Sequence, residues 1–144
     1  MLGLAYWESD LKNRETLALK TMEKGLNLCK KYPGEFDCVI IVQNLASKYL
    51  VCENCLGEEK NMFKVIEYAN EGLRLVDKNS NLQDYTRFYY LLGEAYGALA
   101  GKENLLKSRN AYKEVLKYSS SPWFESARER LWYVDQELRF LENK

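Results

Sequence analysis

Leu45-Ala46-Ser47-Lys48-Tyr49 and, 47 residues further on, Leu92-Gly93-Glu94-Ala95-Tyr96 are one pattern written twice: leucine, a small residue, then tyrosine three positions later. Leu2-Gly3-Leu4-Ala5-Tyr6 writes it a third time, 43 residues before the first. Residues three and four apart share a helix face. Each copy therefore sets a tyrosine beside a position small enough to admit a neighbouring helix. A second pattern alternates with the first. Ala18, Met22 and Gly25-Leu26 recur less strictly as Val65, Ala69 and Gly72-Leu73, and again as Ser108, Tyr112 and Val115-Leu116. Self-similarity at a fixed spacing is the signature of stacked repeats.

The intervening sequence reads as helix throughout. Leu17, Met22, Leu26 and Cys29 suggest one apolar face of a first long helix, which Pro33-Gly34 ends. A second helix is expected over about 35–56, with Val39, Val42, Leu45, Ala46 and Tyr49 at helical spacing. Further helices are expected over about 61–76, 82–99 and 103–118. Ser121-Pro122 reads as an N-cap followed by proline at the first helical position, opening a last helix to about Leu141. Trp123, Ala127, Leu131, Val134 and Leu138 form its apolar stripe. Arg128, Glu129, Gln136 and Arg139 form its polar face. The plainer alternative is a generic three-helix bundle.

Composition limits the function. The chain has 144 residues, 47% of them hydrophobic and 29% charged, with two prolines, which suits one folded domain. Lysine plus arginine equals aspartate plus glutamate at 21 each, so no net basic field draws nucleic acid or an anionic membrane. No apolar run approaches the roughly 20 residues of a membrane span. The opening segment lacks a basic n-region and meets Glu8 and Asp10 too early for a signal peptide, so a cytoplasmic location is the default reading.

Chemistry is sparse. With no histidine, Ser-His-Asp and Cys-His catalysis and imidazole metal ligation are ruled out. No glycine-rich phosphate motif occurs. The four cysteines fall between 29 and 55 and include the pair Cys52-Glu53-Asn54-Cys55. A single four-cysteine zinc site fails on length, because Cys38 and Cys52 stand roughly 21 Å apart along one expected helix. Cys29 and Cys38 can approach across the Pro33-Gly34 turn. Cys52 and Cys55 are expected one turn apart near a helix C-terminus, where the dipole disfavours a thiolate. The cysteines are read as buried packing residues, with a redox or metal-binding thiol pair at Cys52 and Cys55 as the sharper alternative. No cofactor is expected.

The alternating patterns resemble the two helices of the tetratricopeptide repeat (TPR), and the resemblance covers nearly the whole chain. The spacing departs from it: 43 to 47 residues replace the standard 34, with the excess at Ser9–Glu15, Cys52–Asn61 and Gly101–Leu105. Lengthened repeats of this kind resemble those of kinesin light chains and of peptide-sensing bacterial transcription regulators. The last-helix opening at Ser121 also resembles caps of outer-membrane assembly TPR proteins. The resemblance implies an all-α, right-handed α-solenoid of about six helices in antiparallel pairs. It would comprise a partial repeat over 1–34, repeats over 35–80 and 81–121, and a capping helix over 122–144. The incomplete first repeat suggests the C-terminal part of a longer protein.

The resemblance also implies a non-catalytic module that holds a protein or peptide on its concave face. Template positions put Leu4, Trp7 and Glu8 there, then Ile40, Gln43, Asn44, Ser47 and Leu50, then Arg87, Tyr90, Leu91, Glu94 and Gly97. The expected partner-binding set is Trp7, Gln43, Asn44, Ser47, Arg87, Tyr90 and Glu94, centred on Asn44 and Arg87. Asn44 stands where related repeats hold a peptide backbone. Arg87 matches one cationic position of the carboxylate clamp, while Leu91 replaces another. Two further functions remain open. One is the ligand-sensing C-terminal domain of a transcription regulator; the other is an assembly scaffold that forms homo-oligomers through its ends.

Overall fold

A computed structural model describes the backbone of residues 2–34, 37–52 and 55–143, and side chains from residue 12 onward within those ranges. The fold is all-α, with six helices and no strand among the described residues. In chain order they are α1 (Leu2–Lys31), α2 (Cys38–Val51), α3 (Glu58–Leu75), α4 (Leu82–Leu99), α5 (Lys102–Val115) and α6 (Phe124–Glu142). Each packs chiefly on its neighbours in sequence, and α2 also touches α4. No described helix is long and apolar enough to cross a membrane.

Local chemistry sets most boundaries. The Asp37 carboxylate accepts from the Val39 and Ile40 amides and starts α2. Asn81 does the same for α4 by accepting from the Asp84 amide at 3.2 Å. Gly57 turns the chain at φ 100°, and α3 then begins with Glu58 and Glu59 in its first turn, where carboxylates suit the helix dipole. Three residues of the expected third helix are thus gained at its start.

Other expectations need correction. The turn expected at Ser9–Glu15 is absent, because α1 runs unbroken through it. Leu17 is exposed, and the buried stripe of α1 is Leu19, Leu26 and Cys29 with Met22 beside it. α2 stops at Val51 instead of reaching Leu56, since the buried Asn61 amide donates to the Cys52 carbonyl at 2.7 Å and holds the chain extended there. α6 begins at Phe124, two residues beyond the expected Pro122. Ser121 still terminates the turn, accepting from the Trp123 amide while its buried hydroxyl pairs with Thr86 at 2.7 Å.

The cysteines differ most from expectation. Cys29 and Cys52 are buried as packing residues would be, but all four are bonded, Cys29 to Cys38 and Cys52 to Cys55. Cysteine count does not fix connectivity, and a packing assignment cannot reveal a bond.

The core forms two clusters. One joins α1 to α5 through Leu26, Val42, Leu45, Tyr49, Val65, Phe88 and their neighbours; the other joins α5 to α6 through Leu105, Tyr112, Val115, Ala127, Val134 and Leu138. Small residues let the helices close on one another. A side chain at Gly72 of α3 would overlap the Phe88 ring of α4, and one at Gly93 of α4 would overlap the Tyr112 ring of α5. The Ser108 hydroxyl then donates to the Gly93 carbonyl at 2.7 Å.

Candidate functional site

Successive turns of α4 project Arg87, Tyr90 and Glu94 toward one side, three and four residues apart. Arg87 reaches α2, where its Nη2 donates to the Ser47 hydroxyl at 2.9 Å. Its guanidinium lies 4.4 Å from the centroid of the Trp123 ring, which the turn before α6 carries in. Tyr90 contacts the same indole at 5.2 Å between ring centroids and meets Tyr112 edge-on at 5.8 Å. Tyr112 donates to Glu94 at 2.6 Å, and Arg130 of α6 pairs with Glu94 at 3.3 Å. The result is one continuous polar and aromatic seam from α2 across α4 to α5 and α6.

The electrostatics follow from burial and pairing. Burial pushes the Arg87 guanidinium below its ordinary value, opposed by Asp84 and Tyr90; it remains a cation. Burial, then the hydrogen bond to Glu94, drives the Tyr112 hydroxyl far above the usual tyrosine range. Arg130 is held more firmly cationic by the Tyr90 hydroxyl and then by Glu94. Glu94 is thus spoken for: a cation and a phenol already occupy it. Arg87 is not. Its Nε and the Trp123 Nε1 are buried donors with no hydrogen-bond partner. Two such donors on one stacked pair are a cost unless an acceptor meets them.

At Glu94, Tyr112 and Arg130 the seam borders open space. A groove of about 530 Å³ is lined by Leu50, Cys52, Glu58, Asn61, Met62, Glu94 and Ala98, among others. A smaller one of about 250 Å³ continues past Glu94 to Tyr112, Arg130 and Tyr133.

Of the residues expected on the concave face, Ser47, Arg87, Tyr90 and Glu94 come together in this network. Gln43 is half-buried and Asn44 exposed on α2, one turn before Ser47, and neither is tied into the seam. Leu91 belongs to the core at 3% exposure and is not a groove residue. Trp7, Leu4 and Glu8 lie outside the residues whose side chains are described. Sequence reading missed Trp123 and Arg130 as site residues. The sequence pattern puts Trp123 on the α6 stripe, and nothing in a one-helix pattern reveals that the preceding turn folds it back over α4. Arg130 is not among the polar-face residues expected on the last helix, and no sequence pattern singles it out.

The chain was compared with protein-family models, with curated proteins and with solved structures, and no match was found in any of the three.

Proposed function

We propose that this protein is a non-catalytic binding module of the TPR type, which holds an extended protein or peptide segment along the groove beside α2 and α4. The observation that carries the reading is the Arg87–Trp123 pair. Its two unpartnered buried donors ask for a carbonyl or carboxylate acceptor, and the Tyr90 and Trp123 rings flank that point with apolar surface. Asn44 and Gln43, one turn away on α2, offer amides for a peptide backbone.

The repeat reading has its own support. Gly25 of α1 faces Ile41 of α2, and Gly72 of α3 faces Phe88 of α4. The two pairs are displaced by the same 47 residues that relate Leu45 to Leu92. Contacts mainly between sequence neighbours also suit an α-solenoid. We read α2–α3 and α4–α5 as its complete hairpins, α1 as the partial one and α6 as the cap.

A cytoplasmic location stays part of the proposal, but the two cystines pull against it. Cytosolic thiols are kept reduced, so there both pairs would stand as dithiols. Alkylation of protein taken directly from its source, followed by mass measurement, decides which state is native.

Binding is tested with an immobilised library of extended peptides, read with the parent chain and with Asn44→Ala and Arg87→Ala. The proposal expects a selected peptide family whose binding Arg87→Ala weakens by about tenfold or more, the scale of one charge-assisted hydrogen bond in a desolvated site. Unchanged binding in both variants would place the site elsewhere. A second reading, self-association, draws on the exposed Trp132, Tyr133 and Phe140 of α6. Sedimentation at two concentrations tests it, and a concentration-independent monomer removes it.

A further inference from the structure

Glu15, near the middle of α1, points its carboxylate at the Cys52–Cys55 pair, with Glu15 Oε2 3.3 Å from Cys52 Sγ. The carboxylate oxygen and both sulfurs lie within 4.8 Å of one another. This pairing makes little sense for a disulfide. A bonded sulfur has no hydrogen to donate, so the carboxylate would face a group that cannot satisfy it. It makes sense for two thiols, or for a cation held between all three groups.

We propose that the reduced Cys52–Cys55 pair and Glu15 form a site for a zinc-class divalent cation. Two thiolates and a carboxylate are a borderline-soft donor set that suits zinc. Tetrahedral zinc with the usual bond lengths places sulfur and oxygen ligands about 3.6 Å apart and sulfurs about 3.8 Å apart. The observed sulfur–oxygen separation is already close to that. The sulfurs need only part from bonding distance, and the Cα atoms, 5.8 Å apart, allow it. The buried Asn61 holds the loop from both sides, donating to the Cys52 carbonyl at 2.7 Å and accepting from the Leu56 amide at 3.1 Å.

The chemistry balances simply. A small dithiol reductant transfers two electrons and two protons to the Cys52–Cys55 bond, leaving two thiols and the oxidised, cyclic form of the reductant. Zinc binding then displaces the two thiol protons to solvent. The site has a structural effect too. Because Cys52 lines the larger groove, the ion would pin the middle of α1 to the groove wall.

The test uses the full chain, reduced without oxygen and titrated with cobalt(II) alone as a spectroscopic stand-in for zinc. The proposal expects one equivalent of cobalt, a thiolate-to-cobalt charge-transfer band and the strong visible bands of a tetrahedral site. Cys55→Ser should abolish the charge-transfer signature at one equivalent. Glu15→Gln, a change in a half-buried side chain that leaves both thiols intact, should weaken binding by about tenfold or more, at least the cost of losing an outer-shell partner. The double variant Cys29→Ser/Cys38→Ser should leave the bands in place. Absence of thiolate bands in the reduced parent chain overturns the proposal. So does an unaltered cobalt affinity in Glu15→Gln, or bands that survive Cys55→Ser.

Discussion

The centre and the N-terminal end of this molecule solve the same packing problem differently. At the centre, α3, α4 and α5 close through small residues under large rings: Gly72 under Phe88, Gly93 under Tyr112. At the N-terminal end the equivalent glycine, Gly25, leaves Ile41 as its nearest neighbour at 3.9 Å from where a side chain would begin. That contact is ordinary, not interlocked. The α1–α2 region is fastened by other means. The Cys29–Cys38 bond ties one end, the Tyr49 and Tyr68 hydroxyls both donate to Glu23, at 2.7 and 3.2 Å, and Lys30 bridges to Glu71 at 3.1 Å. An inner helix has partners on two sides, whereas an edge helix has one and buries less apolar surface. Covalent and polar ties make up the difference.

This contrast can be broken at several points, and the largest effect belongs to the centre. Phe88→Ala removes a fully buried ring and should lower the unfolding free energy by about 3–5 kcal/mol in denaturant titration. A loss under 1 kcal/mol would mean that α3 and α4 do not interlock as described. At the other end, Cys29→Ala/Cys38→Ala frees a loop of sequence separation 9 and should cost about 2–3 kcal/mol through the unfolded chain. Amide exchange should then accelerate in α1 and stay slow in α4.

The matched glycines sharpen the comparison further. Gly72→Ala must displace the Phe88 ring and should destabilise by about 1–3 kcal/mol. Gly25→Ala meets nothing closer than ordinary contact, so the better helix former should stabilise by about 0.5–1 kcal/mol. Equal signs for the two substitutions would erase the distinction drawn between centre and edge.

The smallest effect is electrostatic. Glu71 is held below the usual carboxylate range by its hydrogen bond to Arg74 and then by Lys30; Glu114 is held low by Lys117 and then by Tyr85. A depressed carboxylate contributes stability that is present above its unfolded value, near 4.5, and is lost as pH falls through its folded one. The thermal unfolding midpoint should therefore drop below about pH 4.5, and Glu71→Gln should flatten that decline modestly. Both carboxylates are near the surface, so salt should shrink the effect.

Much of this architecture is readable from residues alone. α4 was bounded correctly at Leu82 and Leu99, because Asn81 and Asp84 form a cap and the Ala100-Gly101 turn takes positive φ at both residues. The stripe of α6 was also legible, since Ala127, Val134 and Leu138 are buried at helical spacing. α1 was misread because the repeat template demanded a turn near Ser9–Glu15, while Leu11, Lys12, Arg14 and Glu15 all favour continuing a helix. The candidate site was half visible. Ser47, Arg87, Tyr90 and Glu94 come from the template positions that the TPR resemblance implies, but the Trp123 stack depends on how a loop returns, and the cysteine bonds depend on which ends meet in space.

The central claim is that the Arg87–Trp123 pair awaits an acceptor from a bound segment. The most direct measurement is the nitrogen–proton NMR spectrum of the Arg87 Nε and Trp123 Nε1 groups as a library-selected peptide is added. The account predicts downfield proton shifts at both groups, saturating with the peptide, with the Trp123 Nε1 shift lost in Arg87→Ala. Resonances that stay fixed while shifts gather on the outer face of α6 would contradict it.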